Sequence, residues 1–230
     1  MNLESLLVSR DTEVVHTLQT TLDKLSIAIK VAGAAKSGND VLVSSKFDAV
    51  IVDCDDLQGG TDVMRSLRGT PSNKSSVSFA ILNGKTTTQQ AFEMGANFVL
   101  QKPLTPSSTL RCFNAALGFM ERERRRYFRC PVEIPVVIQF GQGPEVKVVA
   151  SNLSEGGMAI QAKAAPPKQP ISRIKFTVPG TQLTIETKGE VAWSDGTKAG
   201  IRFAEIPDAA RQQLEGWILR KIESAAKTRR

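Results

Sequence analysis

Along the first half of the chain, short apolar runs alternate with longer amphipathic stretches. The runs fall at 5–9, 27–32, 49–53, 77–82 and 97–100. Between them, apolar residues recur at helical spacing near 12–24, 36–45, 60–68 and 86–95, and a longer such segment covers about 106–125. Asp11 and Thr86 each precede one of these segments as an N-cap residue. Five strand–helix units in alternation predict an open parallel sheet of five strands with helices on both faces. In such a sheet ligands and chemistry collect at the carboxyl ends of the strands.

After residue 120 the rhythm changes. Runs at 132–140, 145–151, 158–162, 171–178, 183–191 and 199–203 are short and rich in Val, Ile, Phe and Thr. Gly-Gln-Gly-Pro144, Pro-Pro167, Pro-Gly180 and Asp-Gly196 separate them, a density of turn signals that predicts an antiparallel barrel or sandwich. A last amphipathic helix follows Pro207-Asp208, with Leu214, Trp217, Ile218 and Ile222 on one face. The chain of 230 residues is long enough for two modest domains, expected at 1–120 and 121–230.

Charge sharpens the division. Residues 1–120 carry 11 basic and 11 acidic side chains, whereas 121–230 carry 19 and 12, so the second half holds the whole net charge of +7. A basic half attracts anions. The cationic end (Lys227, Arg229 and Arg230) reads as a solvated tail. The denser cluster, Glu121-Arg-Glu-Arg-Arg-Arg-Tyr-Phe-Arg129, puts five arginines into nine residues at the domain junction, and Asn152-Leu-Ser-Glu-Gly-Gly157 follows inside the run of strands. Guanidinium forks match both phosphate oxygens and the O6/N7 edge of guanine, so the pair of motifs points to a compact ligand carrying phosphates and bases.

Other features set bounds. No apolar run reaches the roughly 20 residues of a membrane span, and the N-terminus lacks signal-peptide character. Cys54, Cys112 and Cys130 lack metal-ligand spacing and read as reduced thiols, which suits a cytoplasmic location. The glycosylation-like triplets at Asn73 and Asn152 then have no physical context. His16 reads as a surface residue, and Trp193 as core rather than as a base-stacking platform. With no Gly-rich phosphate loop, no metal-ligand cluster and no histidine in the basic half, an enzyme is not expected, and neither is a cofactor or a bound metal. Nucleic-acid binding is disfavoured because residues 121–230 contain no recognition-helix or RNA-binding aromatic pattern.

The first half resembles the receiver domains of response regulators. Phe47-Asp-Ala-Val-Ile-Val-Asp53 is similar to the strand ending in their phosphoacceptor aspartate. Ala91-Phe-Glu-Met-Gly-Ala-Asn97 and Val99-Leu-Gln-Lys-Pro-Leu104 resemble the fourth helix and the Lys-Pro motif. The resemblance implies a receiver fold, also called flavodoxin-like, and a phosphorylation site at Asp53 with Lys102. Phosphoryl transfer to a carboxylate needs a magnesium ion held by further acids. Here the acidic pair reads Ser9 and Arg10, Asp11 comes late in the turn, the Thr or Ser position is Asn83, and the Pro position is Leu57. Asp55 and Asp56 lie on the wrong side of Asp53 to restore the pattern. Arg10 is the expected partner of Asp53 in place of the ion. The unit therefore reads as a degenerate receiver used for packing or dimerisation, with Asp53 and Lys102 vestigial. A phosphorylatable response regulator is the alternative.

The second half resembles PilZ domains, small β-barrels that bind cyclic di-GMP. Arg125-Arg-Tyr-Phe-Arg129 matches their Arg-x-x-x-Arg signature ahead of a strand, and Asn152, Ser154 and Gly157 match Asp/Asn-x-Ser-x-x-Gly. Gly189-Glu-Val-Ala-Trp193 and Gly200-Ile-Arg-Phe203 resemble the closing strands. The resemblance implies a six-stranded antiparallel barrel with a terminal helix. It also implies that Arg125 and Arg129 clamp the ligand, that Asn152 and Ser154 hydrogen-bond it, and that Gly157 lets the chain turn close to it. Arg124, Arg126 and Gly156 are secondary candidates, and Tyr127 and Phe128 would pack on the barrel. The expected function is signalling. Cyclic di-GMP would fold residues 121–131, at once arm and hinge, onto the barrel and so change the surface offered to a regulated protein partner, with a homodimer as a further expectation.

Overall fold

The computed structural model describes residues 3–167 and 169–228, so the cationic end at Arg229 and Arg230 lies outside them. The chain divides into two compact units, Met1–Arg124 and Arg125–Arg230.

The first unit alternates β1 (Leu3–Val8), α1 (Thr12–Lys24), β2 (Ile27–Ala32), α2 (Ala35–Ser44), β3 (Ala49–Asp53), α3 (Gly60–Leu67), β4 (Val77–Leu82), α4 (Thr88–Glu93), β5 (Phe98–Gln101) and α5 (Pro106–Tyr127). The strands are parallel in the order β2-β1-β3-β4-β5, the doubly wound arrangement in which chemistry sits at the carboxyl edge. Side-chain alternation along the strands feeds two cores. Leu7, Ile51, Phe79 and Ile81 pack with Leu18 and Leu22 of α1 and Phe113 and Met120 of α5. Leu6, Val50, Val52 and Ala80 pack with Leu42 of α2 and Val63 and Met64 of α3 on the other face. Both faces being covered explains why the strands read as continuous apolar runs.

Several polar groups inside this unit are satisfied, although Thr109 Oγ1 is buried with no hydrogen-bond partner among the described residues. Asn73 is fully buried, accepts the Phe47 N–H (2.9 Å) and donates to the Leu42 and Ser45 carbonyls (both 2.7 Å). Asp11 caps α1 as expected, accepting the Glu13 and Val14 N–H groups. The cap of α4 is Thr87 and not Thr86, and it forms a capping box with Gln90. The Thr86 N–H is drawn instead to Asp55 Oδ2 at 3.2 Å. Cys54 and Cys130 are buried and all three thiols are unbridged; burial pushes the Cys54 thiol up to about 12, so it stays protonated.

The second unit comprises the end of α5, β6 (Cys130–Phe140), β7 (Glu145–Ser154), β8 (Gly157–Gln161), β9 (Ile171–Thr177), β10 (Thr184–Asp195), β11 (Lys198–Phe203) and α6 (Asp208–Thr228). The strands close into an antiparallel barrel in the order β10-β11-β8-β7-β6-β9, with β9 paired back to β10, so no edge is left open. So small a barrel is filled by side chains, here Ile138, Leu153, Ile160, Ile174, Phe176 and Ile201. Leu214, Trp217, Ile218 and Ile222 of α6 join the same core, and the Trp217 indole donates to the Pro179 carbonyl at 2.9 Å. Among the described residues no helix is long and apolar enough to cross a membrane.

Candidate functional site

In the first unit, Ser9 and Asp11 follow β1, Asp53 ends β3, Asp56 lies just beyond it, and Lys102 follows β5. The Lys102 ammonium donates to Asp11 Oδ2 (2.8 Å), Asp56 Oδ2 (2.8 Å) and Asp53 Oδ2 (3.0 Å). Ser9 Oγ donates to Asp53 Oδ2 (2.9 Å) and accepts the Asp11 N–H (3.1 Å). The hydrogen bond from Lys102 holds the carboxyls of Asp11 and Asp56 below the usual carboxylate range. Burial acts to lower the Lys102 ammonium, but its bonds to the three carboxylates outweigh that and raise it above an ordinary lysine.

Three sequence expectations are corrected here. The charge opposite Asp53 comes from Lys102, while Arg10 is exposed and in no ion pair among the described residues. Ser9 is turned to Asp53, so its neighbour Arg10 faces elsewhere. Asp11 comes late in the turn, yet its carboxylate reaches the cluster because the residue also caps α1 and is held by Ser9. Asp56 was set aside as lying on the wrong side of Asp53, but its N–H returns to Asp53 Oδ1 (3.3 Å) and folds the residue back. One oxygen from each of Asp11, Asp53 and Asp56 lies within 4.8 Å of the others. Carboxylate oxygens suit a hard cation such as magnesium, but Lys102 already bonds all three groups. In this conformation the ammonium stands where these three carboxylates would hold such an ion. Asn83, at the position of the family's Thr or Ser, donates from its backbone to Asp55 Oδ2 (2.6 Å) and from Nδ2 to Asp56 Oδ2 (3.1 Å).

The arginine cluster divides between the two units. Arg124, a secondary ligand candidate from sequence, lies in the first unit, where Nη1 donates to the buried Asp48 Oδ2 at 3.0 Å. That ion pair, and Lys46 with Glu123 at 4.0 Å, tie the end of α5 to the start of β3 and remove Arg124 from the exposed set. Arg125, Arg126 and Arg129 belong to the second unit. Arg125 is half-buried, and its Nε makes no hydrogen bond among the described residues. Arg126 approaches Glu155 of the β7–β8 turn at 3.9 Å. Arg129 donates to the Arg126 and Tyr127 carbonyls (2.8 and 3.2 Å), closing the C-terminus of α5. Phe128 packs against the barrel core, while Tyr127 is exposed.

The barrel register brings this arm to the second motif. Pro131 pairs with Asn152 and Cys130 with Leu153, so Arg129 enters the barrel beside the Asn152–Gly157 turn. Asn152 is partly exposed, and its Oδ1 accepts the Ala159 N–H at 3.1 Å. Ser154 is fully buried and its hydroxyl donates to the Gly157 carbonyl at 2.9 Å; in this conformation it braces the turn instead of facing a ligand. Gly157 is required for a reason other than turning, because a Cβ there would lie 2.1 Å from the Ile201 carbonyl oxygen of β11. Gly156 faces open space, and its carbonyl accepts the Phe203 N–H at 3.0 Å.

Trp193 departs from the core role expected from the sequence. It is 50 % exposed on the outside of the barrel, where it pairs with Gly200 of β11. A Cβ at Gly200 would lie 2.0 Å from the indole Nε1, so the ring lies directly over that glycine. The usable signal was the glycine at a strand position, which marks close approach by another group. From Trp193 the outer face continues through Gly200 and Ala159 to Asn152, each opposite the next in register. The result is a shallow floor of small residues with an aromatic ring at one end and Asn152, beside the arginine arm, at the other.

The PilZ domain family model matches residues 123–220, which include both arginine and turn motifs. No curated protein matches the sequence. Among solved structures, the chain is similar to the receiver domain of a sensor histidine kinase from Pseudomonas aeruginosa, at 17% identity over 51% of this chain and 99% of that one, with a TM-score of 0.46. It is also similar to a CheY-like receiver domain from Methanospirillum hungatei, at 18% identity over 54% and 99% of the two chains and a TM-score of 0.47. A third similarity is to the receiver domain of a DNA-binding response regulator from Colwellia psychrerythraea, at 21% identity over 51% and 99%, with a TM-score of 0.46. Residues 123–220 thus match the PilZ domain family, and the unit before them is a doubly wound α/β sheet of five parallel strands.

Proposed function

We propose that this signalling protein binds cyclic di-GMP on the outer face of its PilZ barrel, and that binding rearranges residues 121–131 to alter the surface offered to a partner protein in the cytoplasm. The observation that carries the reading is the register of β6 on β7, with Pro131 opposite Asn152, which brings the arginine arm to the turn motif. Arg125 and Arg129 supply guanidinium forks for phosphates and guanine edges, and Asn152 offers its side-chain amide at the same place. Arg126 adds a third guanidinium on the arm. Trp193 provides a π-face for one base at the far end of the floor, a contact that tolerates any base but favours planar ligands. Arg129 and Arg126 now serve carbonyls and Glu155, so ligand binding exchanges internal contacts for ligand contacts, which is what a switch requires.

Titration calorimetry with cyclic di-GMP tests this. The parent is expected to bind at micromolar ligand or tighter, and Arg125→Ala and Arg129→Ala each to lose at least tenfold. Equal binding by both variants, or none by the parent, removes the site.

A further inference from the structure

The outer face holds one more pair of side chains whose geometry suits a ligand. Arg202 stands two residues from Gly200 along β11, so both share the outward face, and in register it sits beside Gly157. Across the other edge of β11 it pairs with Glu190 of β10, and its Nη1 donates to Glu190 Oε1 at 2.6 Å. Both side chains are well exposed, 65% for Arg202 and 60% for Glu190. Trp193 lies on the same strand as Glu190, over Gly200. A flat base laid on the indole would thus have a guanidinium near its edge, about 7 Å away on the diagonal of neighbouring strands.

Charge decides what this pair reads. The arm's Arg125, Arg126 and Arg129 concentrate positive charge beside Asn152, which suits phosphate. At Arg202 the Glu190 carboxylate cancels the net charge, so the pair repels an anion as much as it attracts one. What remains is a planar fork with N–H groups to spare, since a guanidinium has five and Glu190 occupies one. A fork of donors without net charge suits the neutral edge of a base. Guanine presents two acceptors, O6 and N7, to such a fork; adenine presents N7 and the N6 amino donor, which would face a donor. From this we infer that Arg202, held in place by Glu190, reads the guanine edge of a base stacked on Trp193 and makes the site select guanine over adenine. The inference rests on the cyclic-dinucleotide reading above and adds the residue that sets base choice.

The test compares cyclic di-GMP with cyclic di-AMP on the full chain, using the parent, Arg202→Met, Arg202→Lys and Glu190→Gln. The parent should prefer cyclic di-GMP. Arg202→Met should lower that preference at least tenfold, Arg202→Lys should behave similarly because an ammonium lacks the fork, and Glu190→Gln should lower it less. The salt dependence of cyclic di-GMP binding should be unchanged in the double variant Arg202→Met with Glu190→Gln, which removes the pair without leaving a charge, whereas Arg129→Ala should flatten it. Unchanged preference in Arg202→Met, or a flattened salt dependence in the double variant, overturns the assignment while leaving the binding site standing. A parent that binds neither dinucleotide overturns the reading beneath it as well.

Discussion

Two residues on the barrel's outer face separate structural demands from binding demands. Gly157 packs so closely on β11 that the smallest side chain would meet the Ile201 carbonyl at 2.1 Å. Backbone cannot yield as a flexible side chain can. Gly157→Ala should therefore cost about 1–3 kcal/mol in denaturant unfolding, ligand absent. Trp193 is half exposed and contributes little to the core. Trp193→Ala should leave unfolding within about 0.5 kcal/mol of the parent. The same change should weaken cyclic di-GMP binding about tenfold or more, from the loss of one base-stacking contact. Weakened folding with unchanged affinity in Trp193→Ala would return the residue to the core role read from the sequence.

At the scale of elements, the loops after β1, β3 and β5 meet in a network centred on one ammonium. Asp11 and Asp56 have folded-state carboxyls lowered by Lys102, so they add stability that is present above their unfolded pKa, about 4, and is lost as the pH falls through the lower folded values. Lys102 is raised, so its contribution is complete below the unfolded lysine value of about 10.4 and fades only as the pH climbs through the higher folded value. Between those limits the contribution is flat. Lys102→Met leaves three neighbouring carboxylates without their cation and should cost about 3 kcal/mol near pH 7. The gap from the parent should narrow below about pH 4, as Asp11 and Asp56 gain protons; a gap independent of pH would show that the network is not electrostatic. The same ammonium bears on phosphorylation. Incubation with a small phosphodonor and magnesium should give no phosphate adduct by intact mass. A stoichiometric adduct that disappears in Asp53→Asn would make the first unit a working receiver.

At the scale of the whole molecule, the unit boundary falls between Arg124 and Arg125, inside α5. Arg124 is committed to Asp48, and the arginines after it lead to the barrel face. On the proposed reading, a ligand that draws Arg125 and Arg129 to itself pulls on the residues that follow this boundary. Small-angle scattering of the parent should therefore change on adding cyclic di-GMP, and the curve of Arg129→Ala should not; identical curves for the parent with and without bound ligand would leave binding without rearrangement. The same measurement reports mass and so tests the homodimer expected from the sequence.

Local patterns in the sequence determined the elements, because the alternation of short apolar runs with helical periodicity follows directly from burial on two sheet faces and inside a barrel. They also determined both motif positions, since Arg-x-x-x-Arg and Asn-x-Ser-x-x-Gly depend on spacing along the chain. Pairings between distant residues were decided only by tertiary structure. Lys102 meets Asp53 across 49 positions and Asp11 across 91, and Arg124 meets Asp48 across 76. Whether Trp193 faced in or out depended on a register shift in β10 between Val191 and Trp193, and one residue of shift exchanges the two faces of a strand. Composition and spacing therefore specify which groups a chain possesses, and only the folded sheet and the closed barrel decide which of them touch.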